Sequence, residues 1–246
     1  MLLTIIVIFS LLGSIGAIAL AGLLLFFPEK GRQLLIPQLI SYAAGTLLGA
    51  AFLGLIPHAL ADLDASAALS VVLAGIVLFF VLEKLVIWRH CHEEHCEVHR
   101  AAGPLILIGD AFHNFVDGIV IATAFLTSIS LGVAASLAVI AHEIPQEAGD
   151  FAILLDSGYS RKLAFLYNTI SALFALLGAI LAYFFLTEVH RAIPYIMALS
   201  AASFIYIAIA DLIPTLHRYN TVGQSIYQLA LMLAGIGTIT FFHLDH

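Results

Sequence analysis

The chain has 246 residues, 62% of them hydrophobic and 10% charged, with a mean hydropathy of +1.09 and a net charge of −7. Soluble domains are nearer 45–50% apolar and about 25% charged, so 9 basic and 16 acidic residues cannot clothe a water-exposed fold of this length. That balance excludes a soluble enzyme, a disordered segment and a nucleic-acid binder with its broad basic surface, and it leaves an all-α integral membrane protein.

A β-barrel would alternate apolar and polar residues over about ten positions, whereas the apolar runs here are continuous. A helix crosses the hydrocarbon layer with about 20 such residues. The first run, 2–27, has no Lys or Arg ahead of it and no small-residue cleavage site, so it reads as a membrane helix and not as a removed leader. Pro28-Glu29-Lys30-Gly31-Arg32 ends it, and the second run, 35–61, stops at Asp62-Leu63-Asp64. The third, 67–88, enters a polar loop at 89–103. The fourth, 104–127, and the fifth, 130–155, are divided only around Ser128 and Ser130. Asp156-Ser157-Gly158 precedes the sixth, 162–187. Glu188 to Arg191 precedes the seventh, 193–214, and His217 to Gly223 the eighth, 224–243. The expectation is eight transmembrane helices in a single membrane domain over 1–246, with a His/Cys-rich loop at about 89–103.

Lys and Arg collect on the cytoplasmic side of membrane proteins. Lys30, Arg32, Lys84, Arg89, Arg100, Arg161, Lys162 and Arg218 fall on one side of an eight-span chain, and Arg191 alone on the other. Both termini are therefore expected to be non-cytoplasmic and the 89–103 loop cytoplasmic. A short internal repeat accompanies this layout. Ala43-Ala44-Gly45-Thr46 precedes Leu55-Ile56-Pro57 at the spacing at which Ser200-Ala201-Ala202-Ser203 precedes Leu212-Ile213-Pro214. An inverted repeat of spans 1–3 and 6–8 around spans 4–5 would place these segments in opposite orientations.

The polar residues inside the spans carry the chemistry. In span 4, Asp110, His113, Asn114 and Asp117 follow i, i+3, i+4, i+7 spacing and line one helical face. In span 5, His142, Glu143, Gln146, Glu147 and Asp150 fall within an arc of about 140° at about 100° per residue. A carboxylate at the bilayer centre costs about 2.5–3.5 kcal/mol, so five facing lipid would cost on the order of 12–17 kcal/mol. They must face a cavity, partners or a cation. A divalent ion held by His nitrogen and carboxylate oxygen meets all three needs. Pro145 removes one backbone donor and frees the carbonyl of Ala141, a defect that survives in a membrane only beside protein or water.

Phe112-His113-Asn114-Phe115-Val116-Asp117-Gly118, with His142-Glu143-Ile144-Pro145-Gln146-Glu147-Ala148-Gly149-Asp150, resembles the paired signatures of the ZIP (zinc/iron-regulated transporter-like) metal transporters. The branch with HNFxDG in span 4 and HEIPHExGD in span 5 is the most similar. The resemblance extends over the whole chain, through eight spans, outside termini and a His-rich cytoplasmic loop after span 3. It implies that His113, Asn114, Asp117, His142, Glu143 and Gln146 line the transport site, with Glu147 beside it. Gln146 departs from the motif's second His; an amide oxygen coordinates more weakly and without imidazole's preference for zinc. The resemblance also implies an adjoining second metal position, yet the middle of span 6 offers only Asn168 and Ser171 as polar residues.

His58 in span 2 and Asp211 in span 7 are expected on the metal path, although a packing His and an Asp paired with Tyr206 would account for them equally well. The loop places His90, Cys91, His92, His95, Cys96 and His99 within a dozen positions, without fixed four-ligand finger spacing. It reads as an adaptable metal-capture site. The expected function is carriage of divalent metal (zinc foremost, with iron, manganese or cadmium as further substrates) into the cytoplasm by alternating access, in the plasma membrane, with no cofactor. An intramembrane zinc-dependent hydrolase or protease is the alternative. Against it, His142-Glu143-x-x-Gln146 lacks the second His of the zinc-protease pattern. Expected partners are the metal ions and the lipid bilayer, without nucleic acid, and a homodimer is admitted.

Overall fold

The computed structural model describes residues 1–24, 26–88, 98–218 and 221–244. Among them, eight helices are long and apolar enough to cross a membrane, as the hydropathy pattern predicts. They are α1 (Leu2–Leu24), α2 (Glu29–Asp62), α3 (Ala65–Trp88), α4 (Val98–Thr127), α5 (Ile129–Asp156), α6 (Arg161–Glu188), α7 (His190–Leu216) and α8 (Val222–Leu244). No strand occurs among the described residues.

Local chemistry sets the helix ends. Pro28 is extended (φ −60°, ψ 151°), and α2 starts immediately after it at Glu29. The helix thus begins ahead of the apolar run at 35, because a polar turn can be helical without being able to cross lipid. Ser128 is also extended (φ −157°, ψ 156°), and its side chain accepts the Leu131 N–H at 3.1 Å. This one-residue N-cap settles the boundary between the fourth and fifth spans. Ser160 caps α6 through the Leu163 N–H, after a turn at Gly158 whose φ of +90° favours glycine.

The helices sort into two groups by contact, α1/α4/α5/α6 and α2/α3/α7/α8, with α5 also packed on α2. Lipid removes the hydrophobic drive for helices to associate, so close approach relies on small residues. A Cβ at Gly118 of α4 would overlap the Ala175 carbonyl of α6, and one at Gly178 would overlap the Phe115 carbonyl. In the other group, Gly45 of α2 faces the Met232 carbonyl of α8, and Gly75 of α3 faces Ala202 of α7.

Both α2 and α7 contain a wide π turn directly before a proline, Ala50–Leu55 ahead of Pro57 and Ala208–Leu212 ahead of Pro214. Proline lacks an N–H and crowds the carbonyl four residues back, a conflict that the wider turn relieves. The side chain of the residue after each proline bonds to the carbonyl four residues before its own position. His58 Nδ1 donates to Gly54 O at 2.8 Å, and Thr215 Oγ1 to Asp211 O at 3.0 Å.

Candidate metal centre

The one-residue link at Ser128 makes α4 and α5 antiparallel neighbours. His113 and His142 stand nearly the same number of residues from that link, about 20 Å along each helix at 1.5 Å per residue. The two polar stripes therefore meet at one depth. His113 Nε2 and His142 Nε2 are 3.1 Å apart. Asp117 Oδ2 lies 3.1 Å from His142 Nε2 and 3.6 Å from His113 Nε2. Glu143 Oε1 lies 3.4 Å from His113 Nε2 and 3.6 Å from His142 Nε2. Four donors around a tetrahedral ion with bonds of about 2.0–2.1 Å would stand about 3.3–3.4 Å apart, close to these separations.

Burial and proton placement make the cluster chemically distinctive. The side chains of Asp117, His142 and Glu143 are 0% exposed, and that of His113 is 19% exposed. His142 Nδ1 is 2.9 Å from the Ala138 carbonyl, which can only accept, so this nitrogen carries the hydrogen. In the neutral ring the Nε2 lone pair then points at the carboxylates, as in metal-ligating histidines oriented by a backbone carbonyl. Phe204 of α7 packs edge-on against the same imidazole, with ring centroids 6.2 Å apart. Both carboxylate oxygens of Asp117, Glu143 and Glu147 are buried without a hydrogen-bond donor among the described residues. An unpaired buried polar group costs about 1–3 kcal/mol, more when charged. Nitrogen and oxygen atoms able to ligate a metal thus converge in a buried position, an arrangement that a cation stabilises.

A second group adjoins the first. One carboxylate oxygen each from Asp110, Glu143 and Glu147 come within 4.8 Å of one another, so Glu143 belongs to both groups. Asn114 and Gln146 turn their amide nitrogens to Asp110 Oδ1, at 3.0 and 3.4 Å. From α6, the Ser171 hydroxyl donates to Asp110 Oδ2, and Asn168 stands beside Glu147.

Two other expected positions give no ligand atom to these groups, although Asp211 interacts electrostatically with His142. His58 and Asp211 are not among the side chains that converge here. Tyr206 does not pair with Asp211; its hydroxyl bonds Glu83 of α3. His90, Cys91, His92, His95 and Cys96 lie outside the described residues, as does the side chain of His99. Two contacts were beyond the reach of spacing along the chain, Ser171 against Asp110 and Phe204 against His142. Each joins helices remote in sequence, and neither residue type signals its partner.

Residues 88–243 match the ZIP zinc transporter family. Over 96% of its length the chain is 34% identical to zinc transporter ZIP13 of Pongo abelii, covering 78% of that protein. It is 37% identical to zinc transporter ZIP10 of Danio rerio, over 54% of the chain and 16% of that protein. With zinc transporter foi of Drosophila melanogaster it shares 38% identity, over 57% of the chain and 20% of that protein. It thus spans most of the first relative and a fifth or less of the other two.

Proposed function

The chain belongs to the ZIP zinc transporter family, and from that membership we propose that it carries divalent metal, zinc foremost, into the cytoplasm through the cluster of His113, Asp117, His142 and Glu143. It is a multi-pass membrane metal transporter of a family of transporters, which sets aside the hydrolase alternative. The observation that carries the site assignment is the convergence of donorless carboxylate oxygens on two imidazole nitrogens, 3.1–3.6 Å apart in a buried position. Two nitrogens with carboxylate oxygen suit zinc, and an oxygen-rich neighbour around Glu147 admits harder ions such as manganese.

The membrane orientation that goes with this reading is supported by the charge distribution, since Lys30, Arg32, Arg161, Lys162 and Arg218 fall on one side of an eight-span chain and Arg191 on the other. Alternating access is supported by the two helix groups and by a correspondence of residues between α1–α3 and α6–α8, the pattern that an inverted repeat would leave. A single constant shift in numbering carries Ser14 to Ser171, Pro37 to Pro194 and Pro57 to Pro214. The same shift carries the close contact between Gly45 and Met232 onto the one between Ala202 and Gly75. Halves of one design in opposite orientation can exchange roles as the site opens to either side.

The test is uptake of labelled zinc into proteoliposomes, with iron, manganese and cadmium as competitors. Purified protein is expected to give saturable uptake that His142→Ala and Asp117→Ala abolish. Uptake unchanged in both variants would refute the site assignment, and hydrolysis of amide or ester substrates without any flux would refute transport.

A further inference from the structure

Two kinds of carboxylate share this site. Asp117 and Glu143 meet no amide or hydroxyl donor among the described residues, only the imidazole nitrogens of His113 and His142 at 3.1–3.6 Å. Asp110, 4% exposed, has donors on both oxygens. Its Oδ1 accepts from Asn114 Nδ2 at 3.0 Å and from Gln146 Nε2 at 3.4 Å, and its Oδ2 from the Ser171 hydroxyl. A carboxylate offers about four lone-pair positions, so three donors from α4, α5 and α6 leave Asp110 little capacity for a metal. The Ser171 hydroxyl also lies 3.1 Å from the Asn168 carbonyl and 3.3 Å from that of Tyr167. Its single proton goes to the charged acceptor, which forms the stronger bond.

We propose that Ser171 is a positioning residue that holds Asp110 out of the metal's coordination and so sets which metal the site prefers. With Asp110 restrained, the donor set is the imidazoles of His113 and His142 with the carboxylates of Asp117 and Glu143, a composition that suits zinc. Released, Asp110 can swing an oxygen toward Glu143 and Glu147, from which it is already within 4.8 Å. That adds a hard oxygen ligand and shifts preference toward ions such as manganese. The inference rests on the metal-site reading above.

Ser14 of α1 provides a matched control. It occupies the corresponding place in the first half of the chain, is equally buried, and donates to the Ser10 carbonyl at 2.8 Å. Its neighbour Gly13 faces Val139 of α5 where Ser171 meets a carboxylate.

The experiment measures zinc and manganese uptake by Ser171→Ala, Ser171→Thr, Ser14→Ala and His142→Ala in proteoliposomes matched for incorporated protein. Loss of a supporting hydrogen bond around a metal site changes affinity about 10–100-fold. Ser171→Ala is therefore expected to lower the zinc-to-manganese ratio of kcat/KM at least about tenfold, mainly through a higher KM for zinc. Ser171→Thr, which keeps the hydroxyl, should restore the ratio, and Ser14→Ala should not move it. Should Ser171→Ala not reconstitute, Ser171→Cys, a weak donor of similar size, carries the same expectation. A wild-type ratio in Ser171→Ala, or an equal loss for both metals, overturns the proposal. If His142→Ala abolishes uptake while Ser171→Ala keeps the wild-type ratio, only the role of Ser171 fails. Full uptake in His142→Ala would instead overturn the metal site on which it rests.

Discussion

Replacing Asp117 by Asn removes one negative charge from the centre of the site and keeps the shape of the side chain. Asp117 is 0% exposed, stands 3.1 Å from His142 Nε2, and has no hydrogen-bond donor on either oxygen among the described residues. Without metal this buried carboxylate is expected to cost the fold about 1–3 kcal/mol, on the scale of an unsatisfied buried polar group. In the proposed site it is a charged ligand of the metal. Asp117→Asn should therefore raise the stability of the metal-free protein by about 1–3 kcal/mol and weaken zinc binding. A ligand at 100 times its Kd stabilises by about 2.7 kcal/mol. If Kd rises about a hundredfold, the same zinc concentration stabilises the variant by only about 0.4 kcal/mol. Thermal unfolding in detergent, with and without zinc at one fixed concentration, reads both quantities. An Asp117→Asn protein that is less stable without metal and keeps the full zinc-induced shift would refute this reasoning, since Asp117 would then be a paired structural group.

Two other outcomes follow from the same geometry. Because His must be neutral and carboxylates ionised to bind metal, the initial rate of zinc uptake should fall as the medium is acidified; a rate unchanged between about pH 7.5 and 5.5 would count against imidazole ligation. Gly118→Ala should force α4 and α6 apart where a Cβ would overlap the Ala175 carbonyl, lowering stability by about 1–3 kcal/mol, the usual range for overpacking. An unaltered melting temperature would show that the helix pair gives way freely there.

Much of the architecture was legible along the chain because lipid imposes one-dimensional rules. A helix must stay apolar for about 20 residues to cross, so the eight spans follow from hydropathy and punctuation. His113 and Asp117 share a face through helical period alone, as do His142 and Glu143, and both stripes lie on spans joined by a minimal turn. Where α2 begins was less legible, because Pro28 and a polar turn decide it and hydropathy does not.

Hydropathy and helical period were enough to read an eight-helix membrane protein that carries a His and carboxylate stripe on each of spans 4 and 5. Composition and helical period are properties of residues near one another in the chain, and no packing is needed to read them. How those polar groups pair emerges from helix packing. The amide of Gln146 turns to Asp110, Tyr206 bonds Glu83 and not Asp211, and Ser171 reaches across from α6 to Asp110. Which partner a polar side chain finds depends on how closely helices distant in sequence approach one another. That distance is set by glycines such as Gly118 and Gly178 packed against a neighbouring backbone.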